Sequence, residues 1–582
     1  MKKSSTYKRD IINFAGIVAI IFVVNYIMSF MFGRFDMTED DRYSLSESTK
    51  EMLQDDERFN DRIYFRIYLD GDLPADLKKI RNSIQEKLDE FIVYAGDKIQ
   101  YEFIDPNGDE DEEFNYEVQK GLHDDGLRPT TVSVIENNGI QERIFWPGAL
   151  IEYQGSTVDY IQFLNKSSIV DGEDTRNLAD GVINSLEYKI IDAIRRVTTK
   201  EKKSIGFLQG HGELNDYQTF DARQGLAKHY SVDNVTIDGQ ISALEEFDAL
   251  IVAKPTERFN EKDKFVIDQF VMNGGRVMWF IDPMDPNLDS LYSSGLTFGL
   301  PKDLNIEKDM IYKYGVRLNT NMVLDENCGP VYLPFFDNFF PWYFTPRFQP
   351  EKHLITSNLD PIRGNYASTA DPVNESDTAV TKTVILRTSP NSIYYKSPAR
   401  ISFNVAVPEA NQKPDFNNPQ NGSYPVAVLL EGRFSSPFEH IISDAFLNSP
   451  DFETKFKSDY NRMMVVSDGD IIQNLVDSRK NGDQLVPYPL PIDYEHFIPQ
   501  NQIPRKQYSN LDFILNSMDY LLGDNSLLDL RSKTISFRML NTKKIVEERT
   551  MWSFINIFVP LLAILLLALF QIIMRRMKYA KN

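Results

Sequence analysis

The sequence predicts a membrane-tethered α/β protein, and three observations carry that prediction. Two uncharged apolar stretches, residues 11–33 and 550–574, lie near the ends of the 582-residue chain. Each is long enough, as a helix, to cross a hydrocarbon core of about 30 Å, which takes roughly 20 apolar residues. Between them, short apolar strands alternate with helices, the pattern of βαβ units and a mostly parallel sheet. The single cysteine, Cys328, rules out an internal disulfide framework and a thiolate metal cluster. Apolar burial must therefore hold the cores, and 42% apolar and 12% aromatic residues are enough to build them.

The flanks of the apolar stretches give an orientation. Lys2, Lys3, Lys8 and Arg9 precede the first, whereas Asp36, Glu39, Asp40 and Asp41 follow it. Arg575, Arg576, Lys578 and Lys581 follow the second. Short basic flanks stay cytoplasmic, so residues 1–10 and 575–582 are expected in the cytoplasm of a bacterium. Both stretches then cross the inner membrane and the body lies in the periplasm. The first stretch exceeds the roughly 7–15 apolar residues of a signal peptide and lacks a following A-x-A-like site. An uncleaved anchor is expected. A formal charge of −22 with no basic stripe argues against nucleic acid as a partner.

Residues 44–53 read as a capped helix start, and residues 62–69 alternate as a strand. Leu77, Ile80, Ile84, Leu88 and Ile92 form a helical stripe within residues 74–94. Residues 101–104, 130–135 and 144–153 read as further strands, giving a thioredoxin-like layout without the redox Cys-x-x-Cys. The acidic run 105–113 reads as a solvated loop. A helix over 176–197 leads to a strand at 204–209, a helix near 217–229, and strands at 231–237 and 249–253. The next helix, 261–272, meets a glycine stop at Gly274-Gly275, and a strand at 276–281 ends on Asp282-Pro283. Further strands are expected at 383–386, 401–405, 426–430 and 463–466, with helices from Ile471 and over 511–522. The expected division is an N-terminal periplasmic α/β domain at 34–175, a second α/β domain at 176–500 and a helical linker at 501–549.

No P-loop, G-x-S-x-G elbow or H-E-x-x-H occurs, and the six histidines lack metal-ligand spacing. The sequence therefore predicts a non-enzyme with no catalytic residues, no metal and no cofactor. Ligand-binding candidates are His211, Glu213, Asp282, Asp468 and Asp470, each placed where an apolar strand ends, the edge at which open α/β sheets bind ligands. His211 and Glu213 also fit an acid/base pair; against this, the flanking glycines simply permit a tight turn and Glu213 starts a helix. Asp282, Asp468 and Asp470 equally suit caps or Asx turns. The aromatic run 339–344 offers a stacking or partner surface, or packing over a loop.

Several segments, taken in order, resemble the GldG family of gliding-motility auxiliary proteins of Bacteroidota-type bacteria, within the wider group of ABC-transporter auxiliary proteins. They are Met37-Thr38 with Tyr43-Ser44-Leu45-Ser46, then Phe207 through Glu213, then Gly274-Gly275-Arg276 with Asp282-Pro283. Tyr314-Gly315-Val316-Arg317, residues 425–434, and residues 465–470 with Asn474 complete the series. The resemblance implies a substrate-binding-like auxiliary subunit working with a separate permease and a separate ATPase, and coupling them to a periplasmic ligand or envelope component. It also implies that the second domain is glutamine-amidotransferase-like, a flavodoxin-like α/β fold, here without a nucleophile. A periplasmic ligand receptor, for a glycan among other ligands, and a hydrolase using His211 and Glu213 are the competing readings.

Overall fold

The computed structural model describes residues 44–523, apart from 56–60, 109–110, 137–138, 165–167, 171–172, 200, 334–335, 374–378, 408–411, 417–421, 440–453, 482–483 and 496–507. It also describes residue 528, residues 542–579 and seven positions between 14 and 23. The expected first span, 11–33, thus falls largely outside the described residues. The chain divides into two compact units, residues 44–533 and residues 1–43 with 534–582.

In the larger unit, Ser46 caps α1 (Glu47–Gln54) by accepting the Thr49 N–H. There follow β1 (Ile63–Ile67), α2 (Ala75–Ala95), β2 (Ile99–Phe103), α3 (Glu112–Asp124), β3 (Thr130–Glu136) and β4 (Gly139–Phe145). Then come β5 (Gly148–Tyr153), β6 (Ser156–Gln162), β7 (Ser168–Val170) and α4 (Glu173–Thr198). The central sheet has the order β2-β1-β5-β6, with β1 parallel to β2 and the other pairs antiparallel. The run expected as one strand over 144–153 is two, because Trp146-Pro147 separates β4 from β5. β3, β4 and β7 form a second small sheet. Leu77, Ile80, Ile84 and Leu88 of α2 share one core with Ile63, Phe65 and Ile67 of β1. Each such fully buried side chain contributes roughly 1.5–3 kcal/mol. Leu186, Ile190 and Ile194 of α4 join the same core, so the helix expected to open the second domain packs into the first.

The second core contains β8 (Ser204–Gln209), α5 (Phe220–Ala227), β9 (Ser231–Thr236), β10 (Ala249–Ala253), α6 (Glu261–Met272) and β11 (Arg276–Phe280). It continues with β12 (Cys328–Leu333), β13 (Asn338–Pro350), β14 (Val380–Arg387), β15 (Pro425–Ser435), β16 (Lys457–Val466) and α7 (Asn510–Leu521). These strands belong to one ten-stranded sheet, ordered β12-β13-β14-β15-β16-β11-β10-β8-β9, with the short strand Ile362–Arg363 beside β13. β16, β11, β10, β8 and β9 are mutually parallel, and β12 to β15 extend the sheet antiparallel. In chain order the parallel strands run 2-1-3-4-5, a doubly wound arrangement whose switch point lies between β8 and β10. The sheet is therefore mixed rather than mostly parallel. Residues 401–405 are the end of a strand, Ala399–Ser402, followed by a 3₁₀ turn. After a 3₁₀ turn at Gly469–Ile472, where a helix was expected from Ile471, comes a hairpin of Val476–Asn481 and Gln484–Pro489. The described residues of that hairpin are exposed along nearly their whole length.

The smaller unit contains α8 (Thr542–Tyr579), a 38-residue helix. Within it, Ser553–Met577 is long and apolar enough to cross a membrane, and it overlaps the expected span 550–574. Among the described residues it is the one such helix.

Candidate functional site

The carboxyl ends of the parallel strands gather all five sequence-predicted residues into two clusters. The first forms where β8 ends. The chain turns through Gly210-His211-Gly212, and Gly212 takes φ +71°, a conformation L side chains rarely adopt. A Cβ there would lie 2.0 Å from Thr256 Oγ1, so glycine lets the turn pass against the loop after β10. That loop is tied down from the same turn, since the N–H groups of Thr256 and Glu257 donate to the His211 carbonyl at 2.9 and 2.8 Å.

His211 is 5% exposed and bridges two carboxylates. Its Nδ1 lies 3.2 Å from Glu213 Oε1 and its Nε2 3.0 Å from Asp263 Oδ2. The ring stacks on Phe259, with centroids 3.9 Å apart and planes 7° from parallel. Its main-chain N–H donates to Glu213 Oε2 at 2.7 Å. Asp263 is itself anchored, accepting from Gly239 N–H at 2.8 Å and from Asn260 Nδ2 at 2.7 Å. Burial opposes the charged imidazole, but the hydrogen bonds and charges of Glu213 and Asp263 outweigh it and hold His211 above its ordinary value. The result is a charged brace between β8 and α6. Both ring nitrogens are engaged and the ring is covered, an arrangement that gives an attacking group no approach.

The second cluster joins Asp282 after β11 with Asp468 and Asp470 after β16, one carboxylate oxygen from each lying within 4.8 Å of the others. That spacing suits a metal ion, but a lysine already supplies the cation. Lys254 follows β10, and its ammonium lies 2.6 Å from Asp470 Oδ1 and 3.4 Å from Asp282 Oδ2. It also donates to Gln473 Oε1 at 3.0 Å. Main-chain donors complete the cluster: Gly469 N–H to Asp282 at 2.5 Å, Asp470 N–H to Asp468 at 2.9 Å, and Asn365 N–H to Asp468 at 2.8 Å. Asp468 is therefore a cap and turn residue, accepting from Asp470 N–H at the head of the 3₁₀ turn. Burial, then the neighbouring carboxylates, push the Asp468 carboxyl well above the usual carboxylate range. Burial also raises Asp470, against the pull of Lys254. Lys254 is held above the ordinary lysine range because the carboxylates of Asp470 and Asp282 outweigh the cost of burying it.

Asp263, Phe259, Lys254 and Gln473 are the residues that sequence reasoning missed. The N-cap pattern Asn260-x-x-Asp263 was a signal for Asp263, because Asn260 Oδ1 accepts the Asp263 N–H at 2.9 Å. The aromatic run lies in β13, and Trp342, Tyr343 and Phe344 are buried in an aromatic-rich core. These three pack inward, whereas Phe339 and Phe340 at the start of the run are half-buried.

Residues 202–517 match the family model described as an ABC-type uncharacterized transport system. Residues 39–152 match a domain of unknown function, DUF7088. An uncharacterized protein of Borreliella burgdorferi is 19% identical over 444 residues, covering 74% of this chain and 79% of that relative. Among solved structures, the mmIFT52 N-terminal domain aligns at 12% identity with a TM-score of 0.28, covering 47% of this chain and 88% of that one. A likeness that weak bears on neither fold nor function.

Proposed function

The chain belongs to the family of the ABC-type uncharacterized transport system, and from that membership we propose that it is a non-enzymatic, membrane-anchored auxiliary subunit. Its partners are a permease and a separate ATPase, and its body couples them to a periplasmic ligand or envelope component. The apolar segment Ser553–Met577 supports anchoring, and the basic flanks of both terminal stretches support cytoplasmic ends at an inner membrane. The resemblance to GldG supports a role in gliding motility. The order β2-β1-β5-β6 supports a thioredoxin-like first domain, and the 2-1-3-4-5 order a flavodoxin-like, glutamine-amidotransferase-like second domain. Because α4 packs into the first core, we place the join between the domains near residues 199–203.

The observation that carries the non-enzymatic part is the filled strand-end edge. His211 is clamped by Glu213 and Asp263, and the carboxylates of Asp282 and Asp470 hold the Lys254 ammonium. A hydrolase reading needs His211 free to take a proton, and both its nitrogens are committed. Purification of the full-length protein in mild detergent tests the proposal. Co-recovery of a permease and an ATPase is expected, and recovery of a clean monomer would contradict it.

A further inference from the structure

A cleft of about 660 Å³ opens where β6 and α4 meet the start of the second core at Lys202, Ala227 and Lys228. Its lining holds five cations, Arg128, Lys189, Arg196, Lys202 and Lys228, and two carboxylates, Asp159 and Asp192. Both carboxylates are taken. Arg196 Nε donates to Asp159 Oδ2 at 2.5 Å and Arg196 also pairs with Asp192, whose Oδ1 lies 3.1 Å from His229 Nε2.

Three of the other four cations donate to main-chain carbonyls. Lys189 donates to the carbonyls of Gln162 and Phe163 at 3.0 and 2.7 Å. Lys202 donates to the carbonyls of Ala227 and Lys228, each at 3.3 Å. Arg128 donates to the carbonyls of His123 and Leu127. Five cations less two acids leave three surplus positive charges in the lining, within a chain of net charge −22. Burial also pulls the Lys189 ammonium down to about 8. A desolvated cation facing only carbonyls is costly, and an apolar residue at that position would be cheaper.

We infer that this cleft binds a phosphate-bearing ligand, either a soluble phosphate compound or the headgroup of a phospholipid. Ammonium and guanidinium donors make their strongest hydrogen bonds to such oxyanions. Three surplus charges match a polyanion better than a single carboxylate. The volume lies in the range of small-molecule sites, roughly 300–1,000 Å³. Val158 and Tyr160, 50% and 41% exposed, offer apolar wall to an organic portion. The acidic remainder of the chain repels anions from most of the surface, which sharpens selection for a basic recess.

The test uses full-length protein in phosphatidylcholine nanodiscs, titrated calorimetrically at pH 7 with inorganic phosphate, inorganic pyrophosphate, dioctanoyl phosphatidic acid and dioctanoyl phosphatidylcholine. Saturable binding is expected, at least tenfold weaker in Lys189→Gln and in Lys228→Glu and unchanged in Arg400→Gln, an exposed arginine of the strand Ala399–Ser402 that does not line the cleft. Binding of the inorganic anions assigns a soluble phosphate compound; binding of the phosphatidic acid alone assigns a lipid headgroup. Lys228 is exposed, so Lys228→Glu keeps the test valid if Lys189→Gln does not fold. Absence of binding by every probe, or binding that Lys228→Glu leaves intact, overturns the inference.

Discussion

His211 earns its burial through charge. With its folded pKa raised above the unfolded value of about 6.5, its contribution to stability is complete below that value and fades as pH rises through the folded one. His211→Phe preserves an aromatic ring beside Phe259 but removes both polar contacts. It should cost about 1–3 kcal/mol at pH 6 and distinctly less at pH 9. Urea unfolding of the full-length protein in detergent at the two pH values checks this, and an equal loss at both would refute a charged brace. Lys254→Met acts on the other cluster, leaving Asp282, Asp468 and Asp470 without their ammonium. Stranding buried carboxylates in this way costs about 3–5 kcal/mol at neutral pH. The loss should shrink in acid, because Asp468 and Asp470 are already held above the ordinary carboxylate range and protonate readily. Thermal unfolding at pH 7 and pH 4.5 measures it, and a deficit that persists at pH 4.5 would count against the account.

At the level of elements, α4 is fastened to the second core through a buried triad. Tyr230 OH donates to Asp519 Oδ1 of α7 at 2.5 Å, and Arg195 Nη2 of α4 donates to Tyr230 OH at 3.4 Å. Tyr230→Phe removes the shared hydroxyl and should lower stability by about 1–3 kcal/mol, read as a shift in the midpoint of denaturant unfolding. A shift below the error of that measurement would show that the triad does not fasten α4. How far such elements could be read from sequence depended on burial. Residues 204–209, 249–253 and 261–272 were legible to the residue, because fully buried parallel strands are dense apolar runs and glycine or asparagine punctuates their helices. β12 and β13 were hidden by Pro330, Pro341, Pro346 and Pro350, which sequence reasoning counts against strands but which the sheet margin tolerates. α3 was overlooked because its first turn continues the acidic run and its short stripe of Phe114, Val118 and Leu122 buries only Leu122. The exposed hairpin after Ile472 likewise buries little and carries no alternation. At the site, Gly210-His211-Gly212 announced itself as a sharp turn. Lys254 and Asp263 did not, because a lysine after a strand and an acid in a first helical turn are commonplace.

For the molecule as a whole, the placement of basic residues at both ends predicts the outcome of protease treatment. Added to intact spheroplasts, a protease should digest residues 44–533 and spare epitopes placed at either terminus. Full protection of the body would reverse the orientation. Internal motion is constrained by the ten-stranded sheet described above. Its hydrogen-bonded ladders continue from the parallel strands through β16 and β15 into β14, with bulges at Val384–Arg387 and Arg433–Ser435, so the second core answers a push as a slab. The Arg195–Tyr230–Asp519 triad ties α4 to that slab, so a load on the first core passes straight into the sheet.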